Sequence, residues 1–490
     1  MTSVFRSFLV LTCLFVVAKS GQLSLTVDTT AVRFEVETFF LSVNLDSSLV
    51  LDKHFDFNSQ RLHTLLSGLS PCILRVGGSS ADCTYFDSPL EKLKQAGLQP
   101  VPEVISKPYW SQLVRLANAT GSRLLYDLNL QLRDGVQWSP LNTVKLLQFA
   151  VDEGLAGLID FELGNEPDAY SKQGQIRLTG EQIGEDFLML KRVLNSYGGH
   201  FKNTKVVGPD VIMVTGKTGN AILKGFAKVA GHNVTAMTVH QYYFRGDQAG
   251  WKDYINPKYF PLLADTISSA KGVIASCPNP SLPLWIGETS DSWHSGTANV
   301  SDRYVSGFLW LEKLGLSAYM GVGVVMRQTF YGGNYGLMNH NYRPNPDYWL
   351  SYIYKKLVGS RVLNRKVSSL TVDDNDDVRV YVQCTKHSSR YGAGAITLYA
   401  LNVNVSDSTT ITVKGALSLQ RVDVYLLSPG DKEGLLSKYV SLNGQQLRLM
   451  DDKTMPELKP VSQPASIGIK LPALTFAFAV FPDANVKICW

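Results

Sequence analysis

The chain is short of charge. Only 18% of its 490 residues are charged, and 47 basic against 42 acidic side chains leave a net charge of +5. No run of five like charges occurs. A nucleic-acid binder usually carries a dense basic face or run, so no nucleic-acid partner is expected. A polyanion stays possible, because one cleft can be basic while the total is small. Cysteine is scarce too, six in all, with no C-x-x-C pair and no His/Cys cluster. That excludes a small disulfide scaffold, and neither a metal nor a cofactor is expected. Long apolar runs are missing beyond the N-terminus. No other segment approaches the ~20 residues needed to span a bilayer, so no integral membrane segment is expected in the mature protein.

What is present begins with the stretch Phe8–Val17, preceded by Arg6 and followed by Ala18-Lys19-Ser20. This is the layout of a signal peptide over residues 1–20, with cleavage expected before Gly21. Its removal takes two cations and leaves a net charge of +3. The expected product is secreted, extracellular or lysosomal. Four N-x-S/T sequons, at Asn118, Asn233, Asn299 and Asn404, agree with that route. Cys13 leaves with the signal, so five cysteines remain, and an odd number implies at least one thiol outside an intramolecular bridge.

A rhythm runs along most of the chain: a short apolar or β-branched run, a polar loop, then an amphipathic stretch. Eight such runs can be read: 39–45, 72–78, 123–129, 159–166, 205–211, 237–243, 284–289 and 322–329. Nearly all-apolar runs separated by helices point to parallel strands covered on both faces. Eight of them predict a (β/α)8 barrel, here over residues 36–355. After about residue 360 the segments 378–384, 395–403, 409–413, 421–427, 446–449 and 475–481 are short, mostly alternating and separated by Asn, Asp, Gly and Ser. They predict a β-sandwich over residues 356–490, and the alternating run Leu23–Val27 within 21–35 is expected to join it.

Polar residues gather at the C-terminal ends of the predicted strands, where barrel enzymes hold their active sites. The fourth run ends in Gly164-Asn165-Glu166-Pro167 and the seventh in Gly287-Glu288-Thr289. Two glutamates on one rim suggest glycoside hydrolysis, which needs an acid for the leaving oxygen and, with retention, a second carboxylate to attack the anomeric carbon. Glu166 is then the acid/base and Glu288 the nucleophile. Asn165 could bond the sugar 2-hydroxyl, and Tyr242 could orient Glu288. Arg75 either contacts substrate or neutralises a carboxylate in the barrel mouth. His240 is either a core histidine or a residue that orients the nucleophile or binds sugar. The aromatic residues Tyr109, Trp110, Tyr242, Tyr243, Tyr331 and Tyr335 could stack on sugar rings, though several must be core.

The segments LSPCILRVGG, FELGNEPD, HQYYF, LWIGETS and LGLSAYMGVGVVMRQTFYGGNYGL, spread along the mature chain, resemble the heparanase family, the family 79 glycoside hydrolases. The resemblance implies a (β/α)8 barrel with a β-sandwich and a retaining endo-β-glucuronidase acting on glycosaminoglycan chains. It puts Glu166 on the family's acid/base and Glu288 on its nucleophile. Asp46, Ser79, Asn165, His240, Tyr242, Gly333 and Tyr335 fall at or beside its sugar-binding positions, and Cys384 and Cys489 on its C-terminal disulfide. Two features depart from the mammalian members. Where those have basic residues soon after G-P-D-V and H-x-Y-Y, this chain has Ile212-Met213-Val214-Thr215 and Gly246-Asp247, with Lys217 and Arg245 near. A sulfate needs charge-assisted donors, which these residues do not supply. The excised linker of those members has only the short stretch Ser88–Pro108 as its counterpart, so activation by excision is not expected. The segments SGTANVSDRYVSGF, NVTAMTVHQYYF and PDANVKIC are most like the leech-type hyaluronidases of the family. Hyaluronan is therefore the favoured substrate of a monomeric enzyme. The alternatives are heparan sulfate, or an inactive glycosaminoglycan-binding member.

Overall fold

The computed structural model describes residues 20–95, 101–170, 176–369 and 377–490. The signal-peptide reading rests almost wholly on residues 1–19, outside the described residues. Strand β1 is Ser20–Glu35. The next eight strands form one parallel sheet: β2 (Leu41–Asp46), β3 (Cys72–Gly77), β4 (Ser122–Leu128), β5 (Ile159–Leu163), β6 (Val207–Val211), β7 (Ala236–Gln241), β8 (Leu284–Thr289) and β9 (Val324–Arg327). Their order is β6-β7-β8-β9-β2-β3-β4-β5. The two ends of that path meet through a parallel bridge between Phe161 and Val206, which closes the ring. Each strand is followed by a helix: α1 (Gln60–Gly68), α2 (Lys107–Ala119), α3 (Leu141–Asp152), α4 (Gly180–Ser196), α5 (Lys217–Ala230), α6 (Phe260–Ala275), α7 (Ser306–Tyr319) and α8 (Pro346–Leu357). This is the (β/α)8 barrel expected from the eight apolar runs.

The local reasons are visible in the sequence. Six of the eight strands are buried along their full length, as covered parallel strands must be. Helix α4 buries Ile183, Phe187, Leu190 and Leu194, one stripe at helical spacing, and starts at a Thr179/Gln182 capping box. The fourth run, read as extending to Glu166, stops at Leu163 because Gly164 turns the chain at φ +82°.

The remaining chain forms one continuous curled sheet. Its longer strands are β10 (Val358–Ser369), β11 (Val378–Thr385), β12 (Ile396–Asn402), β13 (Ser408–Val413), β14 (Arg421–Pro429) and β15 (Thr475–Phe481). Strand β1 lies within it, antiparallel to β10 and parallel to β13, with Leu23 opposite Ser369 and Ile411. The period of two divides two cores. On β15, Ala477, Ala479 and Phe481 face the interior of the curled sheet with Leu25, Val380 and Ile411. Phe476, Phe478 and Val480 join the core shared with the barrel. Tyr304, just ahead of α7, stacks on Phe476, and Tyr381 donates to Glu312 of α7 at 2.8 Å. Two expectations change. Strand β10 is absent from the sequence reading, because the charges in its alternating pattern (VGSRVLNRKVSS) mask a strand paired on both edges. The stretch 446–449 contributes only the end of a two-residue strand, Gln445–Gln446, before the chain leaves the sheet.

Candidate active site

Parallel strands in one ring put all their C-terminal ends on one rim, so residues distant in sequence meet there. Glu166 follows β5, and Glu288 is on β8. Together with His240 of β7, each brings one ligand-type atom to within 4.8 Å of the others. Tyr242 Oη donates to Glu288 Oε1 at 2.6 Å, and Arg75 of β3 donates to Glu288 Oε2 at 2.9 Å. Burial, then the charge of Glu288, push the Tyr242 hydroxyl far above its usual range, so it stays a donor. His240 Nδ1 lies 2.9 Å from Glu166 Oε1, and its Nε2 lies 3.3 Å from Asp210 Oδ1. Burial opposes a charge on this imidazole. Glu288, Asp210 and the bond to Glu166 outweigh it and raise its pKa well above the usual value.

Beneath the two glutamates lies a charged core. Arg75 is fully buried and reaches Glu162 at 2.5 Å, Asn165 Oδ1 at 3.1 Å and Asp210 at 3.2 Å, besides Glu288. Of its two readings, the geometry favours neutralising carboxylates; its guanidinium is not presented to a ligand. One arginine and one histidine face Asp127, Glu162, Asp210 and Glu288, fewer cations than carboxyls, which favours the protonated form of some of them. Burial raises Asp82 to about 7 and Glu162 to about 8, and lifts Asp127 well above the carboxylate range. Burial also works against Asp210, but Arg75 and His240 hold it at about 2.

The Asn165-Glu166 turn is fastened from outside. Asp82 accepts from the Asn165 backbone N–H at 3.0 Å, Tyr170 Oη at 2.7 Å and the Leu130 N–H at 3.2 Å. Asp168 accepts from the Ile212 and Met213 N–H groups at 3.2 and 2.7 Å. Asn165 anchors its Oδ1 on Arg75, and its Nδ2 has no protein partner among the described residues. Across the rim, Asp46 caps Ser48 at 3.0 Å, and burial raises its pKa. Gly78 (φ +96°) runs against it: a Cβ there would stand 2.5 Å from Asp46 Oδ2. Ser79 is exposed beside it. Gly333 (φ +64°) and Tyr335 belong to a loop that Asn334 ties to Ser295 and Gly296, and Arg327 holds the Tyr335 carbonyl at 3.1 Å. Lys313 of α7, fully buried, donates to Thr289 Oγ1 and the Ser290 carbonyl at 2.5 and 2.6 Å, under the end of β8.

Asp82, Asp127, Glu162, Asp168, Asp210 and Lys313 are not singled out by sequence reasoning. The signal for Asp127 and Glu162 was their place inside otherwise apolar strands. Of the aromatic candidates, Trp110, Tyr243 and Tyr331 are core residues. The exposed ring at the rim is Trp293, which the sequence did not mark. Cys384 and Cys489 form a disulfide, while Cys72, Cys83 and Cys277 are free thiols. Asn118, Asn233 and Asn299 are exposed, and Asn404 is half-buried with its Nδ2 on Asp377 at 2.9 Å. No helix of the described residues is long and apolar enough to cross a membrane.

Known proteins resemble this chain along most of its length. Residues 45–315 match the N-terminal domain of glycosyl hydrolase family 79. A hyaluronoglucuronidase of the leech Hirudo nipponia is 39% identical, covering 96% of this chain and 99% of its own. The heparanase of Mus musculus is 34% identical, covering 93% and 92%. Among solved structures, a 4-O-α-L-rhamnosyl-β-D-glucuronidase from Fusarium oxysporum superposes with a TM-score of 0.66 over 94% of this chain and 100% of its own, at 16% identity, a likeness of fold.

Proposed function

This chain belongs to glycosyl hydrolase family 79 and is a glycoside hydrolase, and from that premise we propose that it is a retaining endo-β-glucuronidase, with hyaluronan as its favoured substrate. One observation carries the mechanism: Glu166 and Glu288 bring oxygens within 4.8 Å of each other. Retaining enzymes keep their carboxyl groups about 5–5.5 Å apart, whereas inverting ones leave roughly 6.5–9.5 Å for a water between them. Glu288, oriented by Tyr242 and Arg75, attacks the anomeric carbon. Glu166, positioned by His240 and by the fastened turn, protonates the departing oxygen. A glycosyl-enzyme ester forms, and water, activated by Glu166 now acting as base, releases the glucuronate end.

Two facts support hyaluronan over heparan sulfate. The leech relative carries that activity in its name and matches almost end to end. The stretch Ile212–Thr215, beside the turn, carries no cation to meet a sulfate. Secretion is part of the same proposal, since the four sequons and the N-terminal stretch suit that route. The test is a paired digestion of hyaluronan and heparan sulfate, followed by NMR of the new reducing ends. A glucuronate end released first as the β-anomer, faster from hyaluronan, is expected. A hexosamine end would refute the chemistry, and an initial α-anomer would refute retention.

A further inference from the structure

A cleft of about 580 Å3 opens beside Glu166. Glu166, His240 and Tyr242 form one part of its lining, and Ile212, Met213, Leu262 and Trp293 another. Glu288, Asp46, Gly333 and Tyr335 are not among its lining residues. It therefore lies on the Glu166 side. A general acid stands next to the oxygen it protonates, so the departing sugar must sit on that side too. This step rests on the role proposed for Glu166 above.

The lining has a definite chemistry. Trp293 and Leu262 are 42% and 40% exposed, two large apolar groups in one concave wall, which is how ligand clefts are usually lined. Trp293 sits in a short ribbon, Ser292–Trp293 paired with Phe244–Arg245, while Leu262 projects from the first turn of α6. No lysine or arginine lines the cleft among the described residues. The imidazole of His240 in its wall is engaged by Glu166 and Asp210. Arg245, the ribbon partner of Trp293, is tied to Asp247 at 2.7 Å. The exposed Asp265 adds a negative charge to the wall.

We infer that this cleft is the seat of a neutral N-acetylhexosamine on the leaving side of the scissile bond, with Trp293 against the sugar face and Leu262, Met213 and Ile212 around the acetamido methyl. A sulfate in place of the acetyl group would meet apolar carbon and Asp265, with no charge-assisted donor. Trp293 and Leu262 thus act as specificity residues, selecting against sulfation at this sugar.

The test compares the wild-type chain with Trp293→Ala and Leu262→Arg. The substrates are hyaluronan octasaccharide and matched glucuronate–glucosamine octasaccharides, N-acetylated or N-sulfated. Trp293→Ala is expected to raise KM for hyaluronan about tenfold, with kcat changed less than about threefold, the size of effect an apolar sugar contact provides. Leu262→Arg is expected to shift the kcat/KM ratio about tenfold toward the N-sulfated chain. If wild type cuts hyaluronan while Trp293→Ala keeps its KM and Leu262→Arg keeps its ratio, the seat is overturned and the parent reading stands. If wild type leaves hyaluronan uncut, both fall together.

Discussion

Glu288 receives two hydrogen bonds, one from Tyr242 and one from Arg75, and the two differ in what their removal tests. Glu288→Gln keeps the size of the side chain and removes its charge and nucleophilicity. Its kcat is expected to fall by more than ~10³, and retained activity would sink the nucleophile role. Tyr242→Phe deletes one donor to a carboxylate and leaves the ring in place. A bond of that kind is worth about 1.5–3 kcal/mol, so kcat should fall between about 10- and 100-fold with KM and melting temperature little moved. Both residues could be read in sequence because they end strands next to glycine or aromatic neighbours. The partners of Arg75 could not. Glu162, Asp210 and Glu288 come from three different strands, and nothing in their local sequence says which arginine they surround.

At the scale of one element, the turn after β5 is the feature most dependent on distant help. Gly164 and Glu166 have φ of +82° and +53°, a region that disfavours any residue with a Cβ. Asp82 offsets that cost from the loop after β3, by accepting from groups 48, 83 and 88 residues away. Asp82→Ala is expected to lower the unfolding free energy by about 1–3 kcal/mol, because buried donors lose their acceptor. It should also lower kcat at least tenfold while KM moves little, because Glu166 loses its fixed direction. Urea unfolding and steady-state kinetics on one preparation check both. A stability loss with kcat intact would make Asp82 purely structural. The Asn-Glu-Pro triplet was visible in sequence, but its support was not, since Asp82 lies in an unremarkable run of small residues and acts only through the barrel's closure.

For the whole molecule, the charged core sets a pH dependence of stability. Burial raises Asp347 to about 6, Asp82 to about 7 and Glu162 to about 8, from unfolded values near 4. Between pH 4 and each of these values the folded state keeps a proton that the unfolded chain has lost. Stability from these groups is therefore full near pH 4 and is lost as pH rises toward 8. His240, raised above its usual value, acts in the same direction. Asp210 acts oppositely, but only below about pH 4. The melting temperature, measured at constant ionic strength, is expected to be higher at pH 5 than at pH 8, and the reverse order would refute protonation of this core. The barrel and the curled sheet meet through the Tyr304–Phe476 stack and the Tyr381–Glu312 hydrogen bond, so both are expected to melt in one transition. Sequence by itself determined the eight-strand rhythm, the N-terminal strand's place in the second sheet and the two rim glutamates. Each of these is written in local periodicity and in residues next to one another. Only the tertiary structure decided that Arg75 is a buried counter-ion, that Asp82 fastens the Glu166 turn, and that Trp293 lines the cleft. Those facts depend on which strand ends a closed barrel brings within a few ångströms, and sequence separation carries no trace of that.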